Sequence, residues 1–96
     1  MSGLEKIKRN RAQILAIASR HGAGQLRAFG SVARDEDHSD SDIDILVKMQ
    51  PGHDLFDMIA LARELEALLQ QKTDIVSDAE LSPYLKDRIL QEAVAI

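Results

Sequence analysis

The stretch Ser41–Val47 constrains the fold more than any other part of the chain, because apolar and acidic residues alternate along it. In an extended strand, Ile43, Ile45 and Val47 point to one face, whereas Asp42 and Asp44 point to the other. Such a strand anchors itself to a core with its apolar face. Its second face presents two neighbouring carboxylates, which repel each other unless something binds them.

The length of the chain limits what can surround this strand. The 96 residues form a single domain over residues 1–96, with room for a short sheet and a few helices but not for a separate substrate domain. The 16 acidic residues outnumber the 12 basic ones, which argues against direct binding of nucleic acid by a basic face. The chain has no cysteine, so a disulfide scaffold and a zinc–thiolate site are excluded.

The N-terminal segment MSGLEKIKRNR carries no apolar signal region, and no apolar run in the chain is long enough to span a bilayer. The absence of cysteine fits a reducing compartment. We therefore expect a soluble, cytoplasmic protein without a membrane partner.

Periodicity and turn residues predict the element order helix, strand, strand, helix, strand, helix. The predicted segments are a helix over Leu4–His21 ended by Gly22 and Gly24, strands over Gln25–Phe29, Ile43–Val47 and Thr73–Val76, a helix over Leu55–Gln71, and a last helix beginning near Ser82 and Pro83. A break at Gly30 and Ser31 is followed by residues that can start a helical turn.

The predicted helix over Leu55–Gln71 is apolar around a wider arc than a single core-facing stripe requires. The residues of this arc are Leu55, Phe56, Met58, Ile59, Leu61, Ala62, Leu65, Leu68 and Leu69. Two interpretations are open: the helix simply covers the sheet, or part of the arc forms an interface with a partner or a second copy.

The segment from Gly30 to Asp44 combines groups that suit a phosphate and a metal ion. Gly30 lets the backbone approach a ligand closely, and the amides of a following helical turn suit a phosphate, to which the Ser31 hydroxyl can also bond. Asp42 and Asp44 share a strand face, and Mg²⁺ is typically held by one or two carboxylates plus substrate phosphates. Arg34 is close enough in sequence to help neutralise a triphosphate.

Asp74 lies in the third predicted strand, and its carboxylate can join Asp42 and Asp44 if that strand pairs beside the second one. Three carboxylates on adjacent strands could hold one or two Mg²⁺ ions, one for the acceptor and one for the leaving group. Asp74 could also act as the general base for an acceptor hydroxyl. Each of these features alone is more often ordinary surface or turn, and the combination carries the hypothesis.

Gly30 and Ser31, ten further residues and then Asp42-x-Asp44 match the GS-x10-D-x-D signature. The chain therefore resembles the DNA polymerase β-like nucleotidyltransferases, and within them the minimal nucleotidyltransferase (MNT) branch. The resemblance extends over nearly the whole chain: it includes Phe29–Arg34, Ser41–Val47, the strand with Asp74, and a closing segment at Ile89–Val94.

The resemblance implies an α+β (α/β) fold, with a small mixed β-sheet flanked by helices. It implies that Asp42 and Asp44 bind Mg²⁺ as the catalytic pair, that Asp74 is the third carboxylate, and that Gly30 and Ser31 hold the phosphates of ATP. It further implies an antitoxin of a HEPN/MNT toxin–antitoxin pair. Such an antitoxin transfers AMP from ATP to a tyrosine of the HEPN ribonuclease toxin, a protein adenylylation (AMPylation), and so silences it.

One residue departs from the family pattern, since Asp35 stands where members often have glycine. Three functions are open at this point: the adenylylating antitoxin, a nucleotidyltransferase that acts on a small molecule, and a non-catalytic module that neutralises its partner by docking. The short chain argues against the second, because small-molecule relatives carry extra domains for the acceptor. The wide apolar arc of the long helix is compatible with the third.

Overall fold

The computed structural model describes residues 2–38 and 41–96. In chain order its elements are α1 (Gly3–Arg9), α2 (Arg11–Arg20), β1 (Ala23–Phe29), β2 (Ile43–Met49), α3 (Leu55–Leu69), β3 (Thr73–Ser77), a short 3₁₀ helix (Asp78–Glu80), α4 (Pro83–Glu92) and β4 (Val94–Ala95). None of the helices in these two stretches has the length and apolarity that a membrane crossing requires.

The four strands form one mixed sheet in the order β3-β2-β1-β4. β1 runs antiparallel to both β2 and β4, whereas β2 and β3 are parallel. The parallel pair is connected by α3, which packs on β3 and on α2, while α2 packs on β1. α4 connects the two edge strands and contacts β1. The small mixed sheet flanked by helices, as expected from the sequence, is confirmed.

The core lies between one face of the sheet and the helices α2 and α3. The alternating residues Ile43, Ile45 and Val47 of β2 are buried there. The helices contribute the buried residues Ile14, Ala18, Leu61, Leu65 and Leu69. Asp44 points to the opposite face and is only half-buried. The alternation along β2 therefore decides which face of the sheet is filled by the core and which presents acidic groups.

The N-terminal helical region differs from the prediction of one helix over Leu4–His21. It consists of α1 and α2, which meet at Asn10, a residue with φ −106° and ψ 15°. The Asn10 side-chain amide donates to the carbonyl of Lys6 at 2.8 Å. Asparagine competes in this way with the regular helical hydrogen bonds, which favours a break. Ile7 before the break and Ile14 after it are both buried.

The other predicted segments are present, with shifted ends. β1 begins at Ala23, so Gly24 lies inside the strand and only Gly22, with φ 74°, follows the end of the helix. α3 ends at Leu69 rather than Gln71, because Gln70 adopts a left-handed conformation with φ 57°. The 3₁₀ helix and β4 were not predicted, since segments of two or three residues are too short for a periodic signal.

Candidate active site

The sheet topology brings three separate sequence segments to one end of the sheet. Because β1 is antiparallel to β2, the end of β1 at Phe29 lies opposite Asp44, near the start of β2. Because β3 is parallel to β2, Asp74 near its start is also in register with Asp44. Residues directly opposite one another point to the same face, so Phe29, Asp44 and Asp74 share the face that the core leaves open.

Gly30 brings the backbone against the carboxylate of Asp44. Its φ is +72°, in the left-handed region that favours glycine. A Cβ atom added at Gly30 would lie 2.6 Å from Oδ2 of Asp44, closer than real Cβ contacts come. Glycine is therefore needed at this position for two reasons: the backbone conformation and the space that the Asp44 carboxylate occupies.

A single helical turn follows Gly30. The Arg34 amide donates to the Gly30 carbonyl at 3.2 Å, and the Glu36 amide donates to the Ser31 carbonyl at 2.9 Å. The hydrogen bonds of this turn are donated by the amides from Arg34 to Glu36. Within the described residues, the amides of Ser31 to Ala33 therefore remain available to a ligand. Free amides at the start of a helical turn are suited to an anion such as phosphate.

The turn ends at Asp35, which has φ +55°. Asp35 thus adopts the left-handed conformation that glycine, the residue that the family resemblance leads us to expect here, adopts without strain. Aspartate is among the few other residues that visit this region. The replacement adds a negative charge, but it does not require a different backbone turn.

The carboxylates of Asp42, Asp44 and Asp74 interact with one another. Burial raises the pKa of Asp44, and the charges of Asp74 and then Asp42 raise it further. Burial also raises the pKa of Asp74, with the neighbouring charge of Asp42 as the second cause. Each raised pKa means that the folded protein disfavours the ionised carboxylate, so a bound cation would relieve the repulsion between them.

The carboxylate set fits a hard divalent cation that shares its coordination with a substrate. Within residues 2–38 and 41–96, no three His, Cys, Asp or Glu side chains are arranged to hold a metal ion on their own. Mg²⁺ commonly takes only one or two protein carboxylates and completes its coordination with phosphate oxygens and water. Asp42 and Asp44 supply carboxylates of this kind, and Asp74 supplies a third beside them.

Two basic residues near the site have their own partners. Arg34, expected from the sequence to help neutralise a triphosphate, lies at the surface with Nε 3.1 Å from Glu36 and Nη1 3.1 Å from Glu92. Hydrogen bonding with Glu36 is the main cause that raises the pKa of Arg34. Lys72, which the sequence analysis did not consider, has Nζ 3.7 Å from Oδ2 of Asp42. Its position two residues before Asp74 is the signal that could have identified it.

Asp37 is a second residue that the sequence analysis did not single out. Its Oδ2 accepts a hydrogen bond from the Gly3 amide at 2.9 Å, which connects the start of α1 to the segment between Ser31 and Asp42. The other carboxylate oxygen is buried without a partner in the part of the chain that the structure describes. No local pattern identifies this contact, because 34 residues separate its two partners.

Comparison with known proteins points to one family. The family model described as "Polymerase beta, Nucleotidyltransferase" matches residues 12–96. A Methanocaldococcus jannaschii protein, named provisionally as a protein adenylyltransferase, is 42% identical over 93 residues, which cover 97% of each chain. The protein adenylyltransferase MntA of Thermococcus cleftensis is 35% identical over 80 residues, covering 83% of this chain and 81% of that protein.

Solved structures share the fold. A structure described provisionally as a minimal nucleotidyltransferase superimposes with a TM-score of 0.90 at 43% identity, covering 100% of this chain and 97% of that one. A chain from the complex of a tri-AMPylated Shewanella oneidensis HEPN toxin with an MNT antitoxin matches with a TM-score of 0.69 at 21% identity. This match covers 92% of the present chain and 69% of the other, and at that identity it shows the fold alone.

Proposed function

Because the chain belongs to the polymerase beta nucleotidyltransferase family, we propose that it is a Mg²⁺-dependent protein adenylyltransferase that transfers AMP from ATP to a tyrosine of a HEPN-domain toxin. In this role it is the antitoxin of a HEPN/MNT pair and neutralises its partner by modification. The observation that carries the proposal is the position of Asp44, in register with Asp74 on one side and against Gly30 on the other.

The relatives support the acceptor class. The MntA relative is named a protein adenylyltransferase, and the Shewanella oneidensis complex contains an AMPylated HEPN toxin with an MNT antitoxin. A 96-residue domain has little room to build its own acceptor pocket, so an acceptor on another protein suits it. The reaction takes place in the cytoplasm, with ATP and the toxin as partners and without nucleic acid or a membrane.

The residues at the end of the sheet have separate roles in binding ATP and its metal ion. Asp42 and Asp44 would hold Mg²⁺, with Asp74 as the third carboxylate, and the ion would supply positive charge against the phosphates. The amides from Ser31 onward and the Ser31 hydroxyl hold phosphate oxygens. Gly30 keeps this turn close to Asp44, so the phosphate-binding amides and the carboxylates face one substrate.

Asp74 is the candidate general base for the transfer. The acceptor hydroxyl oxygen forms a bond to the α-phosphorus of ATP, the bond from that phosphorus to the pyrophosphate oxygen breaks, and the hydroxyl proton passes to the Asp74 carboxylate. Asp74 is in register with Asp44 on the neighbouring strand, so it lies beside the carboxylates at which the transfer takes place. Pyrophosphate leaves with the electron pair of the broken bond.

The test is to incubate the purified protein with ATP labelled at the α-phosphate, Mg²⁺ and a lysate of its own host. We expect a labelled protein band whose modified residue, identified by mass spectrometry, is a tyrosine of a HEPN-domain protein. The Asp42→Ala/Asp44→Ala variant should produce no band. If the lysate is shown to contain the HEPN partner and no protein in it becomes labelled, adenylylation is contradicted.

A second function, neutralisation by docking without catalysis, is favoured by one observation. Leu55, Phe56 and Ile59 of α3 are 64%, 79% and 42% exposed, and neighbouring exposed apolar side chains of this kind mark interaction surfaces. The two functions differ in how growth responds when the toxin is expressed together with Asp42→Ala/Asp44→Ala. Rescue by this variant would favour docking, whereas loss of rescue would favour modification.

A further inference from the structure

Two neighbouring cavities form one groove along the β3 edge of the sheet. One has a volume of about 590 Å³ and extends from Gln50 at the end of β2. The other, of about 240 Å³, extends to Asp74. Leu55, Met58 and Glu80 line both cavities, so the two adjoin each other. We refer to this feature, which lies between the first half of α3 and the edge from β3 to the 3₁₀ helix, as the α3–β3 groove.

The helical wall of the groove exposes apolar side chains on a well-formed first turn. Phe56 is 79% exposed, and Leu55 and Ile59, which line the groove, are 64% and 42% exposed. Asp54 accepts hydrogen bonds from the amides of Phe56 and Asp57, and the Asp57 carboxylate accepts one from the Asp54 amide. This capping box holds the apolar residues on a rigid helix end, which lowers the entropic cost of binding a partner.

The sheet side of the groove is not free to add a further strand. The outward amide of Thr73 already donates to Glu66 at 3.2 Å, and the outward amide of Ser77 donates to Glu80 at 3.3 Å. An extended peptide pairing with β3 would have to displace both carboxylates. The groove is therefore suited to side chains that project from a partner rather than to β-strand addition.

The charges around the groove select the kind of partner. The groove is lined by four acidic residues, Asp54, Asp74, Asp78 and Glu80. Of these, Asp78 is offset by Lys86, with 3.5 Å between the charged atoms. Lys48 and His53 lie in the half of the groove away from Asp74. A second copy would bring the same carboxylates face to face, whereas a segment with basic residues beside its apolar ones would complement them.

We propose that the α3–β3 groove docks the protein that accepts AMP, through an amphipathic segment of that protein with apolar side chains and flanking Lys or Arg residues. The inference rests on the adenylyltransferase function proposed above and adds the surface by which the acceptor is recognised. Because Asp74 lines one end of the groove, a protein bound there lies beside the strand that carries the candidate general base. The groove thus determines the affinity for the acceptor, and the carboxylates determine the chemistry.

The experiment compares two double variants that each remove two exposed large apolar side chains. Leu55→Ala/Ile59→Ala changes the groove, and Tyr84→Ala/Leu85→Ala, whose side chains are 72% and 45% exposed on α4, is the matched control. The acceptor is the host protein that the wild type labels, identified and purified. Initial rates of labelling are measured against acceptor concentration, and binding of ATP with Mg²⁺ is measured separately for every variant.

We expect the groove variant to label the acceptor at least tenfold more slowly at low acceptor concentration, to regain most of the rate at saturation, and to bind ATP as the wild type does. The control should stay within twofold of the wild type. Equal labelling rates for both variants would contradict docking of the acceptor in the groove and leave the proposed function intact. A wild type that labels no protein would contradict the proposed function itself. If the wild type and the control are dimers and only the groove variant is a monomer, the occupant of the groove is a second copy of this chain.

Discussion

Gly30 determines, at the scale of single residues, how closely the phosphate-binding turn approaches the carboxylates. Its left-handed φ is one obstacle to any larger residue, and the 2.6 Å that would separate an added Cβ from Asp44 is another. Asp35, at the end of the same turn, also has a positive φ, which aspartate tolerates. Gly30 therefore differs from Asp35 in that its position is restricted by the Asp44 carboxylate as well as by the backbone conformation.

Gly30→Ala should lower stability by about 1–3 kcal/mol, because alanine is strained at positive φ and its methyl group pushes against Asp44. AMP transfer should fall at least tenfold, since Asp44 or the turn must move. Chemical denaturation and the labelling assay measure the two effects. Gly24→Ala is the matched control: its added Cβ would lie 4.0 Å from the nearest atom, the Lys48 carbonyl oxygen, so it should keep most of the activity.

The ionised carboxylate of Asp44 lowers the free energy of unfolding of the metal-free protein. Its raised pKa means that the ionised form is less favourable in the folded than in the unfolded chain. Asp44→Asn should therefore stabilise the metal-free protein at pH 7, by about 0.5 kcal/mol once solvent screening is considered, while abolishing AMP transfer. Thermal unfolding in the presence of a chelator, compared with the wild type, measures the change.

The pH dependence of this difference has a defined sign. Between the unfolded pKa of about 3.9 and the raised folded value, the folded wild type binds a proton that the unfolded chain does not. The advantage of Asp44→Asn should therefore be complete above the folded pKa, shrink as the pH falls through it, and vanish below the unfolded pKa. A constant advantage from pH 7 to pH 3 would show that the carboxylate charge is not its cause.

The edge strand β3 illustrates, at the scale of elements, how the sheet avoids unwanted pairing. The Ile43 amide donates to the Lys72 carbonyl at 2.9 Å, and the alternation of a parallel ladder then directs the backbone groups of Thr73, Ile75 and Ser77 outward. Glu66 and Glu80 accept the amides of Thr73 and Ser77. Charged side chains that occupy an edge in this way prevent edge-to-edge association.

Removing both carboxylates with Glu66→Ala/Glu80→Ala should promote self-association, because it frees two outward amides and removes two negative charges. Glu5→Ala/Asp87→Ala removes the same charge from exposed positions on α1 and α4 and serves as the control. We expect the edge variant to form larger species at concentrations where the control stays unchanged. Light scattering over a concentration series measures this, and identical behaviour of the two variants would exclude a role for the edge.

At the scale of the whole molecule, Arg34 joins the first strand–turn segment to the last helix. Its guanidinium group bonds Glu92 of α4 across 58 residues of sequence and Glu36 locally. Arg34 therefore neutralises two carboxylates of this chain instead of extending toward a ligand. Its availability for a triphosphate depends on how α4 and the turn are arranged.

Glu36→Ala/Glu92→Ala should strengthen ATP binding about two- to fivefold by releasing Arg34, a range that corresponds to the usual energies of exposed ion pairs. Adding Arg34→Ala should cancel the gain. Titration with ATP and Mg²⁺ measures the affinities. If the charge-matched Glu5→Ala/Asp87→Ala variant gains as much, the effect comes from net charge and not from Arg34.

Much of the fold and of the candidate site was predictable because its signals are local. The alternation around Ile43 and Ile45 predicts β2 and its buried face, and the spacing from Ser31 to Asp42 identifies the family. Contacts between distant residues had no such signal. The ion pair of Lys72 with Asp42 and the hydrogen bond of Asp37 with Gly3 both depend on how separate segments meet.

The sequence by itself determined the candidate site residues and the strand face on which Asp44 lies, because side-chain alternation is a property of the local backbone. Only the tertiary structure decided that Asp74 is the neighbour of Asp44, since the register of β3 against β2 depends on the packing of α3 over both strands. It also decided that Arg34 pairs with Glu92. Such pairings follow from the balance of many weak contacts over the whole chain, which no single segment encodes.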